Sequence, residues 1–345
     1  MSNICDAQGR RPLLLSPAFK DYIWGGNRLK RDWGKRTDMT PLAESWELSC
    51  HEAGPSVIAG GAYAGQTLGE YLAGHPQDAG TKAQNAGAFP LLIKLIDAAG
   101  PLSVQVHPGD AYAREFEHSL GKSEMWLVLD ASEGAGIYYG FKRETPLAEM
   151  RAAIENNTLT ELLNWVPAKT GDCFFIPAGT VHAIGGGILL YEIQQSSDVT
   201  YRLWDFDRVN AAGEKRPLHI RQSLDVIVPE LTGQIAHMPE NEGCGLVTLL
   251  DVPAFHLACA NVNGECELAP QPHAFRMLTA LAGLLQEKEQ EYGHAIYLIT
   301  DEPYRELVFD GHTTTWVPQL YADTIVCYSY SKSLSLPGER IGYVF

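Results

Sequence analysis

Basic residues are scarce in this chain. Its 345 residues include 26 Lys and Arg against 42 Asp and Glu, for a formal net charge of −16. So acidic a surface repels nucleic-acid phosphates and anionic lipid, so neither nucleic acid nor membrane is expected as a partner. An anionic small substrate must instead be held by a local cluster of positive charge working against the overall field. Paired cysteines are missing too. Cys5, Cys50, Cys173, Cys244, Cys259, Cys266 and Cys327 are odd in number, scattered, and contain no Cys-x-x-Cys, which excludes a disulfide framework and a zinc knuckle and reads as free thiols in a reducing compartment. No apolar run reaches membrane-spanning length, and Met1-Ser-Asn-Ile-Cys-Asp6 lacks the basic, apolar and small-residue series of a secretory signal. The cytoplasm is the expected location.

What is present is core-forming sequence. Hydrophobic residues make up 45% and charged residues 20% of the chain, as in ordinary globular proteins, and the length allows two or three domains. Three segments carry chemistry: Pro101-Leu-Ser-Val-Gln-Val-His-Pro108, Lys122-Ser-Glu-Met-Trp126 and Gly171-Asp-Cys-Phe-Phe-Ile-Pro-Ala-Gly-Thr-Val-His182. Gln105 and His107 stand two apart, so on a strand they face the same side. Glu124 precedes the apolar run Met125-Trp-Leu-Val-Leu129, and His182 follows a Pro-Ala-Gly turn, which places each at a strand end.

Two imidazoles, one carboxylate and one neutral amide suit a borderline divalent cation, zinc first, with cobalt, manganese or iron as alternatives. With a single anionic ligand the site stays net positive, so it favours anionic, oxygen-rich groups and acts as a Lewis acid. One histidine beside a Pro-Gly turn is as often a packing residue as a ligand; the reading rests on the set of four. The spacing Gly171-x5-Pro177-x-Gly179-x2-His182 resembles the second signature of cupins, small antiparallel double-sheet barrels that hold a metal inside. Gln105-x-His107 with the later Glu124 resembles a stretched first signature in which glutamine replaces a histidine.

Along the chain, short strand-like runs follow an irregular opening at 12–30. Phe89-Pro-Leu-Leu-Ile-Lys-Leu-Ile-Asp97 is a continuous apolar strand with one cation, Lys94, either an edge residue or a ligand for an anion. Thr145 as an N-cap with Pro146 at the first helical position predicts a helical insert over about 145–166. Gln194-Gln-Ser-Ser-Asp-Val-Thr-Tyr-Arg-Leu-Trp204 alternates enough to bring Asp198 and Arg202 near the metal. Residues 12–228 are expected to form the metal-binding domain, 229–245 a linker, and 246–283 the start of a second barrel.

Ser103-Val-Gln-Val-His-Pro108, Gly121-Lys-Ser-Glu-Met-Trp126, Pro177-Ala-Gly-Thr-Val-His-Ala-Ile-Gly185 and Gln195-Ser-Ser-Asp-Val-Thr-Tyr-Arg-Leu-Trp-Asp-Phe-Asp-Arg208 together resemble type I phosphomannose isomerase of the short bacterial form. The resemblance runs over about 12–283 and includes Trp24-Gly-Gly26, Glu44-Ser-Trp-Glu47 and Arg216-Pro-Leu-His-Ile220. It implies a mainly β fold of cupin-like jelly-roll barrels with a small helical insert, one Zn2+ per chain, and interconversion of mannose 6-phosphate and fructose 6-phosphate. Carried over by position, Gln105, His107, Glu124 and His182 match the zinc ligands, and Arg202 matches the arginine set against the substrate. Lys122, Glu192 and Asp198 match polar pocket residues, each a candidate base. Lys94 and Ser103 match positions at the phosphate end. The expected partner is a small sugar phosphate, and the chain is expected to be a monomer or weak homo-oligomer.

That pattern stops near Leu281-Ala-Gly283. Ala295-Ile-Tyr-Leu-Ile-Thr-Asp-Glu-Pro-Tyr304 and Thr324-Ile-Val-Cys-Tyr-Ser-Tyr-Ser-Lys-Ser-Leu-Ser-Leu-Pro-Gly-Glu-Arg-Ile-Gly342 resemble the middle of a fold-type I aminotransferase dependent on pyridoxal phosphate (PLP). The resemblance matches Lys332 to the Schiff-base lysine, Asp301 to the partner of the pyridinium nitrogen, Tyr304 to the phenol beside the ring hydroxyl, and Ser329 and Arg340 to phosphate contacts. Residues 284–345 are then a C-terminal α/β fragment. Because about sixty residues supply only a few strands of a sheet that needs many neighbours, PLP is not expected to be held. Two rival functions remain: a non-catalytic sugar-phosphate-binding cupin, and an aminotransferase acting through the C-terminal segment.

Overall fold

The computed structural model describes residues 13–80, 83, 88–209, 213–230, 233–238, 243–261, 277, 298–301, 324–329 and 342–344. They divide into two compact units, one of Leu15–Ile58 with Gly65–Phe275, the other of Met1–Leu14, Ala59–Ala64 and Arg276–Phe345.

The first unit begins with β1 (Leu15–Ser16), β2 (Ala18–Lys20), β3 (Glu44–Leu48), β4 (Val57–Ile58), β5 (Leu91–Ala98) and β6 (Val104–Val106). It continues with β7 (Glu124–Ala131), β8 (Gly136–Phe141), β9 (Leu163–Pro167), β10 (Asp172–Ile176) and β11 (His182–Ile184). Then come β12 (Ile188–Gln195), β13 (Tyr201–Trp204), β14 (Ile235–His237), β15 (Gly243–Asp251) and β16 (His256–Asn261). A seven-stranded sheet runs β14-β10-β7-β12-β5-β3-β2 and a five-stranded sheet runs β13-β6-β11-β8-β9; the pairings within both are antiparallel. Their facing sides share one core, with Ile96, Trp126, Val128, Phe174, Ile188 and Leu190 from the larger sheet and Ile137, Tyr139 and Ile184 from the smaller. This is the expected mainly β, double-sheet barrel. β5, β7 and β12 read as nearly continuous apolar runs because their middle residues are buried on both faces.

The outer face of the smaller sheet, through Val104, Val106, Val181, Ala183, Tyr201 and Leu203, packs on Met150, Ile154 and Leu159 of the helical insert and on Ile220 and Leu224. The insert forms as helices Leu147–Glu155 and Leu159–Leu162. Two details differ from the sequence expectation. Pro146 rather than Thr145 occupies the N-cap, because the Thr145 hydroxyl donates to the Arg143 carbonyl and is spent there. The last part of the insert, Leu163–Pro167, is strand β9, since pairing with β8 satisfies its backbone and overrides its local helical tendency. Within the stretch read as a linker, β14 adds to the larger sheet beside β10.

A buried clamp closes the first turn of chain onto this barrel. Asp97, fully buried, accepts the Arg28 backbone N–H at 2.7 Å and its Nε–H at 2.7 Å, and Gly26 lies against the same carboxylate with no room for a Cβ. Removing Asp97 would leave a largely buried guanidinium with only the exposed Asp130 carboxylate, 2.9 Å from its Nη1, as an ionic partner. Asp97→Ala is expected to cost about 3 kcal/mol in a denaturant titration, whereas an effect under about 0.5 kcal/mol would show the clamp to be dispensable.

In the second unit β17 (Leu298–Asp301) runs parallel to β18 (Thr324–Ser329), which pairs antiparallel with β19 (Gly342–Val344). Asp301 and Ser329 end β17 and β18. Tyr304, Lys332 and Arg340 lie outside the described residues. Among the described residues, no helix is long and apolar enough to cross a membrane.

Candidate metal centre and active site

Cross-strand register assembles the site. On the smaller sheet Gln105 of β6 lies opposite His182 of β11 on one side and opposite Arg202 of β13 on the other, so the three side chains share one face in a row. On the larger sheet Trp46, Lys94, Glu192 and Trp126 form a second row across β3, β5, β12 and β7. Glu124 stands one step along that face, opposite Gln194. Both rows point into the barrel, and ligand atoms of His107, Glu124 and His182 come within 4.8 Å of one another. All three residues are buried to within 1% of full exclusion.

The local chemistry fits a cation. His107 Nδ1 lies 2.9 Å from the Val199 carbonyl and His182 Nδ1 2.9 Å from the Thr180 carbonyl. A carbonyl can only accept, so both rings carry their proton on Nδ1 and turn the Nε2 lone pair inward. Those lone pairs face a carboxylate, His107 Nε2 at 3.2 Å from Glu124 Oε1 and His182 Nε2 at 3.7 Å from Glu124 Oε2. Glu124 Oε2 and His182 Nε2 are buried acceptors without a hydrogen-bond donor. Such an arrangement repels itself unless positive charge sits among the atoms. One cation is already alongside, the Lys122 ammonium at 2.7 Å from Glu124 Oε1 and 3.2 Å from His107 Nε2.

Titration follows the same logic. Burial and then the Lys122 charge push the His107 pKa down, and burial with the neighbouring His107 pushes His182 to about 3. Glu124 goes the other way from what burial alone would do: Lys122, His107 and His182 hold its carboxyl well below the usual range. All three groups therefore favour the deprotonated form that a metal needs, and both imidazoles hold it below the pH at which free imidazole protonates. Zinc affinity measured by chelator competition is expected to stay level from pH 8 to below about 6.5, the free-histidine pKa, because binding displaces no proton from either ring in that window. A fall in affinity starting near pH 6.5 would contradict this.

The remaining sequence candidates divide into two groups. Arg202 is half-buried; its Nη1 donates to the Pro217 carbonyl at 3.0 Å while its Nε–H has no partner. Lys122 and Glu192 line the same compartment as Glu124. Burial, then the Glu124 charge, raises the Glu192 carboxyl above its ordinary value, with Lys94 and Lys122 pulling against them; its Oε1 accepts the Trp126 indole N–H at 2.9 Å. Asp198 sits apart on the β12–β13 connection, its side chain 58% exposed. Ser103 is buried two residues before Gln105. Lys94 is 6% exposed and its ammonium lies 3.2 Å from Glu192 and 3.6 Å from Glu44. Burial opposes that charge, but Glu44 and Glu192 carry its pKa above the ordinary lysine value. Its charge is engaged by two carboxylates, which leaves less of it for an incoming anion.

Sequence reasoning assigns no role to Glu44, Trp46, Trp126 or His51. Trp46 donates its indole N–H to Glu44 at 2.6 Å and lies under the Lys94 ammonium at 5.1 Å. The Glu44-Ser-Trp-Glu47 run was the available signal; nothing local marked His51.

Comparison with known proteins agrees with this geometry. The family described as phosphomannose isomerase type I, catalytic domain, matches residues 13–132, and aminotransferase class I and II matches residues 289–345. A mannose-6-phosphate isomerase of Streptococcus mutans is 40% identical over 273 residues, covering 79% of this chain and 85% of that protein. A mannose-6-phosphate isomerase of Bacillus subtilis is 40% identical over 275 residues, covering 79% and 86%. The crystal structure of a mannose 6-phosphate isomerase from Bacillus subtilis superposes with a TM-score of 0.69 at 34% identity, over 75% of this chain and 83% of that one. A relative matched over most of its length at such identity, on the same fold, settles the family: this chain is a type I phosphomannose isomerase.

Proposed function

We propose that the chain interconverts mannose 6-phosphate and fructose 6-phosphate, using one Zn2+ held by Gln105, His107, Glu124 and His182. The observation that carries the reading is the convergence of His107, Glu124 and His182 within 4.8 Å, with His182 in the same row as Gln105 and Arg202. An aldose and a ketose exchange by moving a proton between C1 and C2 through an enediol, so negative charge must be stabilised on two adjacent oxygens. The bound cation would supply a Lewis acid for those oxygens. Arg202, with a buried Nε–H lacking a partner, shares the same charge from the opposite side.

Glu192 is the best placed of the three candidate bases. Its pKa is raised toward the working range, it is fixed by Trp126 and Lys94, and it shares a sheet face with Glu124. Lys122 is tied by its ammonium to Glu124. Asp198 has its pKa lowered, first by the hydrogen bond from His51, which makes it a weaker base; we place it at the mouth as an acceptor for sugar hydroxyls. Lys94 then holds Glu192. For the phosphate end, Ser103 is joined by the guanidinium pair of Arg208 and Arg216. Asp205 accepts from Arg208 and Arg216, Arg208 also donates to the carbonyl of Pro101, and two cations against one carboxylate leave the pair net positive. We also retain the division at 12–228 and 246–283, with 284–345 as a joined aminotransferase-like segment that holds no PLP.

A coupled assay for fructose 6-phosphate formation tests the reading. Activity lost to a chelator and restored by Zn2+ is the expected result. Metal binding and sugar-phosphate-dependent stabilisation without turnover would favour a non-catalytic sugar-binding cupin instead.

A further inference from the structure

Asp198 is the most exposed of the pocket carboxylates, and a carboxylate at 58% side-chain exposure keeps no single direction unless something holds it. Its backbone is held on both sides. The Ser197 carbonyl accepts the Gln194 amide at 2.6 Å, and the Val199 carbonyl faces His107 Nδ1 at 2.9 Å. The side chain meets His51, brought from the loop after β3, with Nε2 3.5 Å from Oδ1.

The direction of that contact follows from the other ring nitrogen. His51 Nδ1 lies 3.2 Å from the Ala53 backbone nitrogen, which can only donate. Nδ1 is thus the acceptor, the ring proton sits on Nε2, and Nε2–H points at Asp198. The ring is itself fixed. Its backbone N–H donates to the Ser49 hydroxyl at 3.1 Å, and its edge packs on Trp46 at 6.0 Å between ring centroids with planes at 79°. Trp46 in turn belongs to the row that carries Lys94 and Glu192.

We propose that His51 is a positioning residue that sets the rotamer of Asp198 at the mouth of the metal pocket, through an Nε2–H donated to the carboxylate. The proposal rests on the reading of Asp198 as a sugar-hydroxyl acceptor. His51 never touches the reacting carbons; it couples the barrel floor, through Trp46, to the rim.

The test is a kinetic cycle on the full chain with mannose 6-phosphate, comparing His51→Phe, His51→Gln, Asp198→Asn and His51→Phe/Asp198→Asn. Phenylalanine keeps the edge contact with Trp46 and removes the donor; it is expected to lower kcat/KM about tenfold, mainly through KM. Glutamine restores a donor and is expected to recover activity to within about threefold. In the Asp198→Asn background the phenylalanine substitution should cost less than about twofold, the signature of a shared interaction. Full additivity, or a glutamine variant as impaired as phenylalanine, overturns the proposal. Nitrogen-15 spectra of the ring give a readout independent of turnover: the Nε2–H tautomer, perturbed by Asp198→Asn, is expected, and an Nδ1–H tautomer or an unperturbed ring overturns it even if the phenylalanine variant does not fold. Full activity in Asp198→Asn would overturn the role given to Asp198 itself. An impaired Asp198→Asn beside a fully active His51→Phe would overturn only the role given to His51.

Discussion

Replacing His182 with alanine is expected to lower kcat/KM for mannose 6-phosphate by about 10³–10⁴-fold, several kcal/mol of lost charge stabilisation. The reason is geometric. His182 is fully buried, its Nδ1 is committed to the Thr180 carbonyl, and its Nε2 has no partner in the chain, so its one free lone pair is available only to a cation. Metal content and thermal melting should be read with the kinetics. A folded variant that has lost both metal and turnover agrees with the account, whereas a metal-depleted variant that still isomerises would remove the cation from the reaction.

The second large effect concerns Glu192→Gln. Glutamine keeps the shape and an acceptor for the Trp126 indole, and the Lys94 ammonium still has Glu44 nearby. What disappears is the proton carrier. Turnover is expected to fall by about 10²–10⁴-fold with KM nearly unchanged and metal retained, and exchange of the substrate C2 hydrogen with solvent should slow in step. The pH dependence carries the sign. A base must be ionised to act, so kcat of the parent protein should rise with pH through an acid limb above the ordinary glutamate value, in keeping with the raised pKa of this buried carboxyl. That limb should vanish in the variant. An unchanged kcat would shift the assignment to Asp198 or Lys122.

Much of the site could be read from the sequence because it depends on local period. Gln105-x-His107 faces one way if both lie on a strand; Gln105 is on β6 and His107 stands one residue past its end. Glu124 opens β7 and His182 opens β11, as the apolar runs beside them implied. Arg202 lies opposite Gln105 across the β6–β13 pairing, which no local pattern announced. The environment of Lys94 could not be read in the same way. A lone cation in an apolar run looks like an edge residue or an anion ligand, and only the pairing of β5 with both β3 and β12, strands about fifty and one hundred residues away, shows that it meets two carboxylates. His51 was hidden for the same reason, since its partner lies far along the chain. Local signals failed where tertiary pairing overrode them, as in Leu163–Pro167, helical by its context yet held as a strand by β8. β14 likewise sits in a Pro- and Glu-rich stretch that reads as a linker until β10 supplies its partner.

The central claim is that four side chains from three separated segments enclose one divalent cation. Diffraction from crystals grown with Zn2+, recorded on both sides of the zinc absorption edge, tests it most directly. The account predicts a single strong anomalous peak per chain at about 2.0–2.2 Å from His107 Nε2, His182 Nε2 and a Glu124 oxygen, with the Gln105 amide oxygen completing the set. No peak there, or one held by other residues with Glu124 still facing the two imidazoles, would contradict it.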